Sequence, residues 1–261
     1  MSGKRESMID IHSHILWGMD DGSRSLEMSV AMLQMAASGG TTDIVATPHA
    51  DTDYEFQPEL IAERRAELQG LLGDGIRIHS GCDFHLKHDN IQDALAHPKK
   101  YSVNGLGWVL VEFSDMMIFP NTEDTFAKMR DAGMRVIVTH PERNWLLRKD
   151  IGRLQRWVEN GAYLQVTGGS LLGVFGPDAR KFSEELLARG LAHFLASDAH
   201  DLDRRSPRLD QVRTHVAERY SEDYAEALLN THPRAVIEGR ALHPGMLEPP
   251  EPARRWFQFW R

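Results

Sequence analysis

The sequence predicts an α/β fold built on a parallel sheet in a single domain, and three observations carry that reading. The chain has 261 residues, 41% hydrophobic and 26% charged, which is long enough for one large α/β domain and short for two. Seven short β-like runs recur, each bounded by polar residues. Helical patterning fills the segments between them. Strand then helix, repeated, is the pattern of parallel strands joined by crossover helices. At this length a closed barrel is the leading arrangement, with an open doubly wound sheet as the alternative.

The runs span residues 8–14, 43–49, 77–84, 108–114, 135–140, 163–167 and 193–200. In the first, "IDIHSHIL", side chains two apart share a face, so Asp10, His12 and His14 fall on one side and Ile9, Ile11 and Ile15 on the other. The first helix is expected over 26–38, with Val30, Leu33 and Ala37 on one face and Met28, Met32 and Met35 read as ordinary core residues. "PELIAERRAELQGLL" sets Leu60, Ile61, Leu68, Leu71 and Leu72 along a second, with Pro58 at its start. Further helices are expected over 121–132, 151–160, 177–189, 207–220 and 222–230. Gly133, Gly161 and Gly190 each follow a helical stretch, as C-terminal caps do. Residues 1–7 read as a disordered lead and 8–242 as the domain. The tail, 243–261, is interrupted by Pro249, Pro250 and Pro252 and carries Trp256, Phe257, Phe259 and Trp260. Those aromatics either pack back on the domain or dock on a neighbouring subunit or a protein partner, which leaves a homo-oligomer open.

Bulk properties narrow the function classes. The formal net charge is −8 and Lys and Arg are scattered, so a nucleic-acid groove is not expected. The one cysteine, Cys82, allows no internal disulfide and fits a reducing cytoplasm. No apolar stretch approaches the ~20 residues of a membrane span, and the start "MSGKRES" is too polar and short for a signal peptide. A soluble cytoplasmic protein is expected.

The carboxyl ends of the runs hold the chemistry. The first ends on His12 and His14, "IVATPH" on His49, "IHSGCDF" gives Asp83, "VLVEFS" gives Glu112, "VIVTH" ends on His140, and "FLASDAH" gives Asp198 and His200. In a parallel α/β sheet those ends converge on one face. With Asp21 from the first loop, nine metal-ligand candidates meet there. Each alone has a plainer reading: a strand-end histidine is commonly a core or capping residue, and an Asp after an apolar run commonly caps the next helix. Their joint occurrence at six of seven strand ends points to metal. Five of the thirteen histidines enter this set; the rest, His79 and His85 among them, read as structural or solvent-facing. Mixed imidazole and carboxylate without thiolate suits Mn, Fe or Zn as a reactive centre rather than a structural zinc site. Nine donors exceed the needs of one ion, so two or three bridged ions are expected, an arrangement that clamps phosphate for in-line displacement.

Other chemistries fail on the sequence itself. A cysteine phosphatase loop needs Arg six residues after its Cys, and six after Cys82 is His88. "TGGSLLG" around Ser170 is not a G-x-S-x-G elbow. No P-loop occurs, and "GLGW" at Gly105 lacks the third glycine of a dinucleotide site.

The ordered motifs "DIHSHIL…DDG", "TPH", "LVEFS", "HPER" and "ASDAH.LD.R", over about residues 8 to 242, resemble the PHP (polymerase and histidinol phosphatase) superfamily and, within it, the bacterial manganese-dependent tyrosine phosphatases of the CpsB/YwqE type. The resemblance implies a distorted (β/α)7 TIM-like barrel with a trinuclear metal centre. It implies one ion on His12, His14, Asp83 and Asp198, a second on Asp83, Glu112 and His140, and a third on Asp21, His49 and His200. It also implies phosphate-contacting roles for Arg143 of "HPER" and for Arg205, and a guanidinium fork suits two phosphoryl oxygens on chemical grounds. One departure matters: where the family carries Glu in "GxE", this chain has Gly81, Cys82 and Asp83. Asp is one methylene shorter, so it must be helped by a backbone shift or must loosen one ion.

The expected function is hydrolysis of phosphotyrosine by a hydroxide held on the ions, in the control of capsule or exopolysaccharide synthesis. The expected partner is a phosphotyrosine protein, a bacterial tyrosine kinase of polysaccharide export. Two readings from other classes stand beside it: a small-molecule phosphomonoesterase of histidinol-phosphate type or a phosphodiesterase, and a non-catalytic metal-binding scaffold.

Overall fold

A computed structural model describes residues 7–243 and 247–248. Its elements follow local sequence. Strand β1 is Met8–Ser13, and helix α1, Leu26–Ser38, starts where the Ser25 hydroxyl accepts a hydrogen bond from the Met28 N–H at 3.2 Å. Then come β2 (Thr41–Ala46), β3 (His49–Ala50) and α2 (Pro58–Leu72), whose proline occupies the first helical turn, where no N–H is needed. They are followed by β4 (Arg77–Ser80), β5 (Asp83–His85), α3 (His88–Ala96), β6 (Trp108–Glu112), α4 (Thr122–Asp131) and β7 (Arg135–Thr139). Helix α5 (Ile151–Glu159) is capped by Asp150, which accepts from the Arg153 N–H at 3.0 Å. The chain continues through β8 (Tyr163–Thr167), α6 (Gly168–Leu171), α7 (Pro177–Ala188), β9 (Phe194–Ala196), α8 (Asp210–Arg219) and α9 (Glu222–Glu226). A π-turn over Ala227–Thr231 leads into α10, His232–Ile237. Gly133, Gly161 and Gly190 follow α4, α5 and α7 with φ of 85°, 91° and 67°, the left-handed caps expected of them.

All the strand pairing is parallel, as the βαβ pattern predicts, but the expected closed barrel is corrected. The described strands make two sheets, a three-stranded one in the order β1-β2-β4 and a six-stranded one in the order β3-β5-β6-β7-β8-β9. Two expected strands divide at this boundary: 43–49 becomes β2 and β3, and 77–84 becomes β4 and β5. The break falls at Thr47-Pro48 and Gly81-Cys82. Pro48 has no N–H to give a ladder, and its carbonyl instead accepts from Asp83 N at 3.1 Å. Along the other boundary the sheets touch through a single bridge, Ser13 with Ala199, flanked by His14 N to Ala199 O at 2.8 Å and Asp198 N to His12 O at 2.9 Å.

Period two along the strands explains what lies on each face. Trp108, Leu110, Ile137, Tyr163, Phe194 and Ala196 join Ile9, Ile11 and Val45 in one buried cluster. The alternate residues Val109, Val111, Val136, Val138, Leu164 and Val166 join another with the covering helices, contributed by Phe126, Trp157 and Leu186. Burying each such large side chain contributes about 1.5–3 kcal/mol before the entropy cost of ordering it. Two residues beyond Leu110, Ile137, Tyr163 and Ala196 on the same parity stand Glu112, Thr139, Gln165 and Asp198. An apolar floor thus gives way to a polar mouth at the carboxyl ends. The aromatic residues of the tail and residues 1–6 lie outside the described residues.

Candidate metal centre

The carboxyl ends of β1 and its neighbours converge as the parallel arrangement predicts, with one adjustment. The β1–β2 ladder shifts register between Asp10 and Ser13, around His12. His12 and His14 are nevertheless both buried and their Nε2 atoms lie 3.3 Å apart. The loop that follows folds back because Gly22 has no side chain: a Cβ there would stand 2.3 Å from the His14 carbonyl oxygen. That turn brings Asp20 and Asp21 into the mouth.

The nine predicted donors gather within a few ångströms of one another. Asp83 Oδ2 is 3.4 Å from His12 Nε2 and 3.3 Å from His49 Nδ1. Glu112 Oε2 lies 3.4 Å from His49 Nδ1, and its Oε1 lies 3.6 Å from His140 Nε2. Asp21 Oδ1 stands 3.5 Å from His49 Nε2 and 3.3 Å from His200 Nε2. Asp198 Oδ1 is 3.5 Å from the Nε2 atoms of both His12 and His14. Three groups have donor atoms mutually within 4.8 Å: His14, Asp21, His49 and His200; His12, His14 and Asp83; and His49, Asp83 and Glu112. His140 and Asp198 border these groups rather than joining one. Both hold left-handed backbone, with φ of 32° and 51°, a conformation that β-strand ends do not need and that costs non-glycine residues energy. The predicted arginines are also present: the Arg143 guanidinium pairs with Asp198 Oδ2, and Arg205 Nη2 reaches the same oxygen at 2.8 Å. The Phe175 ring packs against both, 4.4 Å and 6.0 Å from their central carbons.

The donor set fits cations on three counts. Buried atoms His49 Nδ1, Asp83 Oδ2 and His200 Nε2 have no aligned hydrogen-bond partner, which is costly unless something else satisfies them. His12 Nδ1 faces Gln165 Oε1 at 2.9 Å, His14 Nδ1 faces Asp20 Oδ2 at 2.6 Å, and His200 Nδ1 faces the Asp198 carbonyl at 3.0 Å. Each of these oxygens can only accept, so Nδ1 is the donor in each contact and Nε2 is left facing the mouth. Finally, the charges are frustrated. Burial, together with nearby Asp83 and Asp198, pushes Glu112 up to about 8. Burial pushes His14 down to about 3, helped by His200 and His49, whereas Asp83 and Asp198 outweigh burial and raise His12 to about 9. Burial would raise Asp198, but Arg143, His12 and Arg205 hold it well below the usual carboxylate range.

Several residues in this shell were not among the expected ones. Gln165 lies on β8, the one of the seven expected strands without a predicted ligand, and it orients His12. Its signal was a lone amide inside the apolar run "YLQVT". Asp20 is the neighbour of the predicted Asp21 in "DDG"; besides His14 it accepts from the N–H groups of Gly22 at 3.0 Å and His49 at 3.1 Å. Asp10 accepts from Ser197 N at 3.0 Å and Ser197 Oγ at 2.5 Å, tying β1 to the "SDAH" turn. Glu142 of "HPER" is fully buried and accepts from Thr167 N at 2.9 Å and Ser170 Oγ at 2.8 Å, which pins the turn that carries Arg143. His85 belongs to none of the three donor groups.

Known proteins are similar to this chain along most of its length. Tyrosine-protein phosphatase YwqE of Bacillus subtilis is 31% identical over 252 residues, 95% of this chain and 97% of that protein. A putative tyrosine-protein phosphatase CapC of Staphylococcus aureus is 34% identical over 209 residues, 78% of this chain and 82% of its own. A solved structure from work on YwqE and on CpsB of Streptococcus pneumoniae, described as metal-dependent tyrosine phosphatases, superimposes with a TM-score of 0.85 at 29% identity, covering 95% of this chain and all of that one. The family described as capsular polysaccharide synthesis, CpsB/CapC, matches residues 8–238, from the first residue of β1 to just past α10, and the chain belongs to that family.

Proposed function

We propose that this protein is a metal-dependent phosphoric monoester hydrolase that removes phosphate from phosphotyrosine in proteins, in the service of capsule or exopolysaccharide synthesis. One observation carries the reading: nine imidazole and carboxylate donors, some buried without hydrogen-bond partners, converge at one mouth beside two guanidiniums. The names of its relatives support the choice of substrate.

His12, His14, Asp21, His49, Asp83, Glu112, His140, Asp198 and His200 would hold two or three divalent cations, Mn by preference, with Fe or Zn suited to the same donors. Bound there, such cations offset phosphoryl charge and make water more acidic. The chain's own residues do the rest. Arg143 and Arg205 reach one carboxylate oxygen together, and the same reach lets their forks take phosphoryl oxygens at the mouth. Phe175 limits how far either fork can turn. A cleft of about 200 Å³ opens beside Glu112, His140 and Arg143; its walls are mainly polar, and Phe113 and Phe175 are the two rings in them against which a phenyl ring can rest. A phenolate leaves at a pKa of about 10, so a tyrosine ester needs less proton assistance than an alkyl phosphate. Cys82 takes no part: it is buried, and burial pushes its thiol well up, away from the thiolate form.

We place the protein in the cytoplasm, acting on a tyrosine kinase of polysaccharide export; among the described residues no helix is long and apolar enough to cross a membrane. Elemental analysis of the purified chain, paired with a phosphotyrosine-peptide assay with and without added Mn²⁺, tests the reading. Bound transition metal and Mn²⁺-stimulated phosphate release are expected. Absence of turnover in the metal-loaded protein would refute it.

A further inference from the structure

The exposed large apolar side chains are not scattered evenly. Among the described residues they are Leu71, Leu106, Met116, Met117, Phe119, Trp145 and Leu172, and four of these seven sit on two adjoining segments, the β6–α4 loop and the turn after β7. Met116 is 88% exposed, Met117 52% and Trp145 45%. Isolated exposed apolar residues need no explanation, but a contiguous group marks a contact surface.

This group is anchored and adjoins the proposed catalytic mouth. Trp145 Nε1 donates to the Asp115 carbonyl at 2.8 Å, Asn144 Nδ2 donates to the Ser114 carbonyl at 3.0 Å, and Met116 N donates to Ser114 Oγ at 3.0 Å. Lys149 Nζ lies 3.8 Å from the centre of the Trp145 ring and braces it. Asp115 and Asn144 belong both to these tethers and to the wall of the cleft beside Arg143 and His140. Met116 and Trp145 are thus each one residue beyond a residue of the cleft wall, within reach of the neighbours of a side chain bound there.

Resting on the phosphotyrosine reading above, we propose that this platform binds the residues flanking phosphotyrosine in a protein substrate, and that it selects segments with apolar side chains next to the phosphotyrosine. Continuity with the cleft singles out the substrate chain as the occupant: a second copy of the protein seated there would cover the mouth. Methionine suits the task because its unbranched, polarisable side chain adapts to apolar groups of differing shape.

The test uses the full, metal-loaded chain and its M116S/M117S variant. Both are assayed on a phosphotyrosine peptide with Leu on either side, on the same peptide with Gly there, and on p-nitrophenyl phosphate. The variant is expected to lose about tenfold in kcat/KM on the Leu peptide, through KM, and to change less than about twofold on the other two substrates. Equal loss on all three substrates, or no loss on the Leu peptide, overturns the platform. So does a change in oligomeric state on a sizing column accompanied by equal losses, which would assign the surface to a second copy. A wild-type protein that cleaves p-nitrophenyl phosphate but neither peptide refutes the phosphotyrosine reading itself, and the platform with it.

Discussion

Two clusters of His and Asp, one around Asp43 in the small sheet and one at the mouth where the two sheets meet, differ in how their polar atoms are used. In the first, Asp43 accepts from Arg77 Nε and Nη2, both at 2.7 Å, from His79 Nε2 at 3.0 Å and from Thr42 Oγ1 at 2.9 Å. Asn104 Nδ2 completes His79 at 3.1 Å and also reaches the Ile237 carbonyl. Every acceptor and donor of Asp43 and His79 is matched within the protein. At the mouth, the Asp83, Glu112 and Asp198 carboxylates crowd among imidazoles and guanidiniums, two residues hold left-handed backbone, and buried nitrogens and an oxygen go without partners. Buried polarity alone therefore does not mark function; unmatched donors aimed at common points do.

Three substitutions sharpen this contrast. Asp198→Ala, at the mouth, should lower phosphatase activity by at least about a hundredfold while circular dichroism shows an intact fold; full turnover would place the chemistry elsewhere. Gln165→Leu removes the acceptor on His12 Nδ1 and should weaken cation binding roughly 10- to 100-fold, read by competition with a chromophoric chelator. An unchanged affinity would mean that His12 needs no such orientation. Asp43→Ala should do the opposite: it costs about 1–3 kcal/mol in urea unfolding and leaves turnover per folded molecule unaltered.

The Asp43 effect should also depend on pH, with a definite sign. Burial opposes the charge, but His79, Arg77 and Thr42 overcome it and hold the carboxyl below its usual range. A depressed native pKa contributes stability in full above the ordinary carboxylate value of about 3.9 and loses it as the pH falls further. The urea midpoints of wild type and Asp43→Ala should therefore converge in acid. A gap that widened below about pH 4 would contradict the pairing.

Much of this was legible in the sequence, for identifiable reasons. Strand β8 and helices α1 and α2 match their expected bounds because alternation, an N-cap serine and an N1 proline are local signals. The nine donors could be read because strand ends converge in any parallel α/β arrangement, whereas Arg143 and Arg205 were indicated by the resemblance of their motifs. The sheet break was not legible, since whether a ladder continues past Pro48 depends on partners distant in sequence. Helix α3 was missed because it is short and buries only Asn90 and Ala94 deeply. Helix α10 was missed because the expected helix over 222–230 continues through a π-turn, which has no clear periodic signature. Gln165, Asp20 and Glu142 act through other side chains, so their types carry no ligand signature of their own. The shortened carboxylate at Asp83 still reaches His12 and His49, its strand starting directly after the break at Gly81-Cys82.

That break has a mechanical meaning. His12 and His14 come from the three-stranded sheet and the residue after it, whereas His49, Asp83 and Glu112 come from the six-stranded one, and along one boundary the described residues join the two through the Ser13–Ala199 bridge and a few hydrogen bonds beside it. Ions shared between these side chains would clasp the two halves at their rim, so loading the centre would stiffen the scaffold as well as equip it for chemistry.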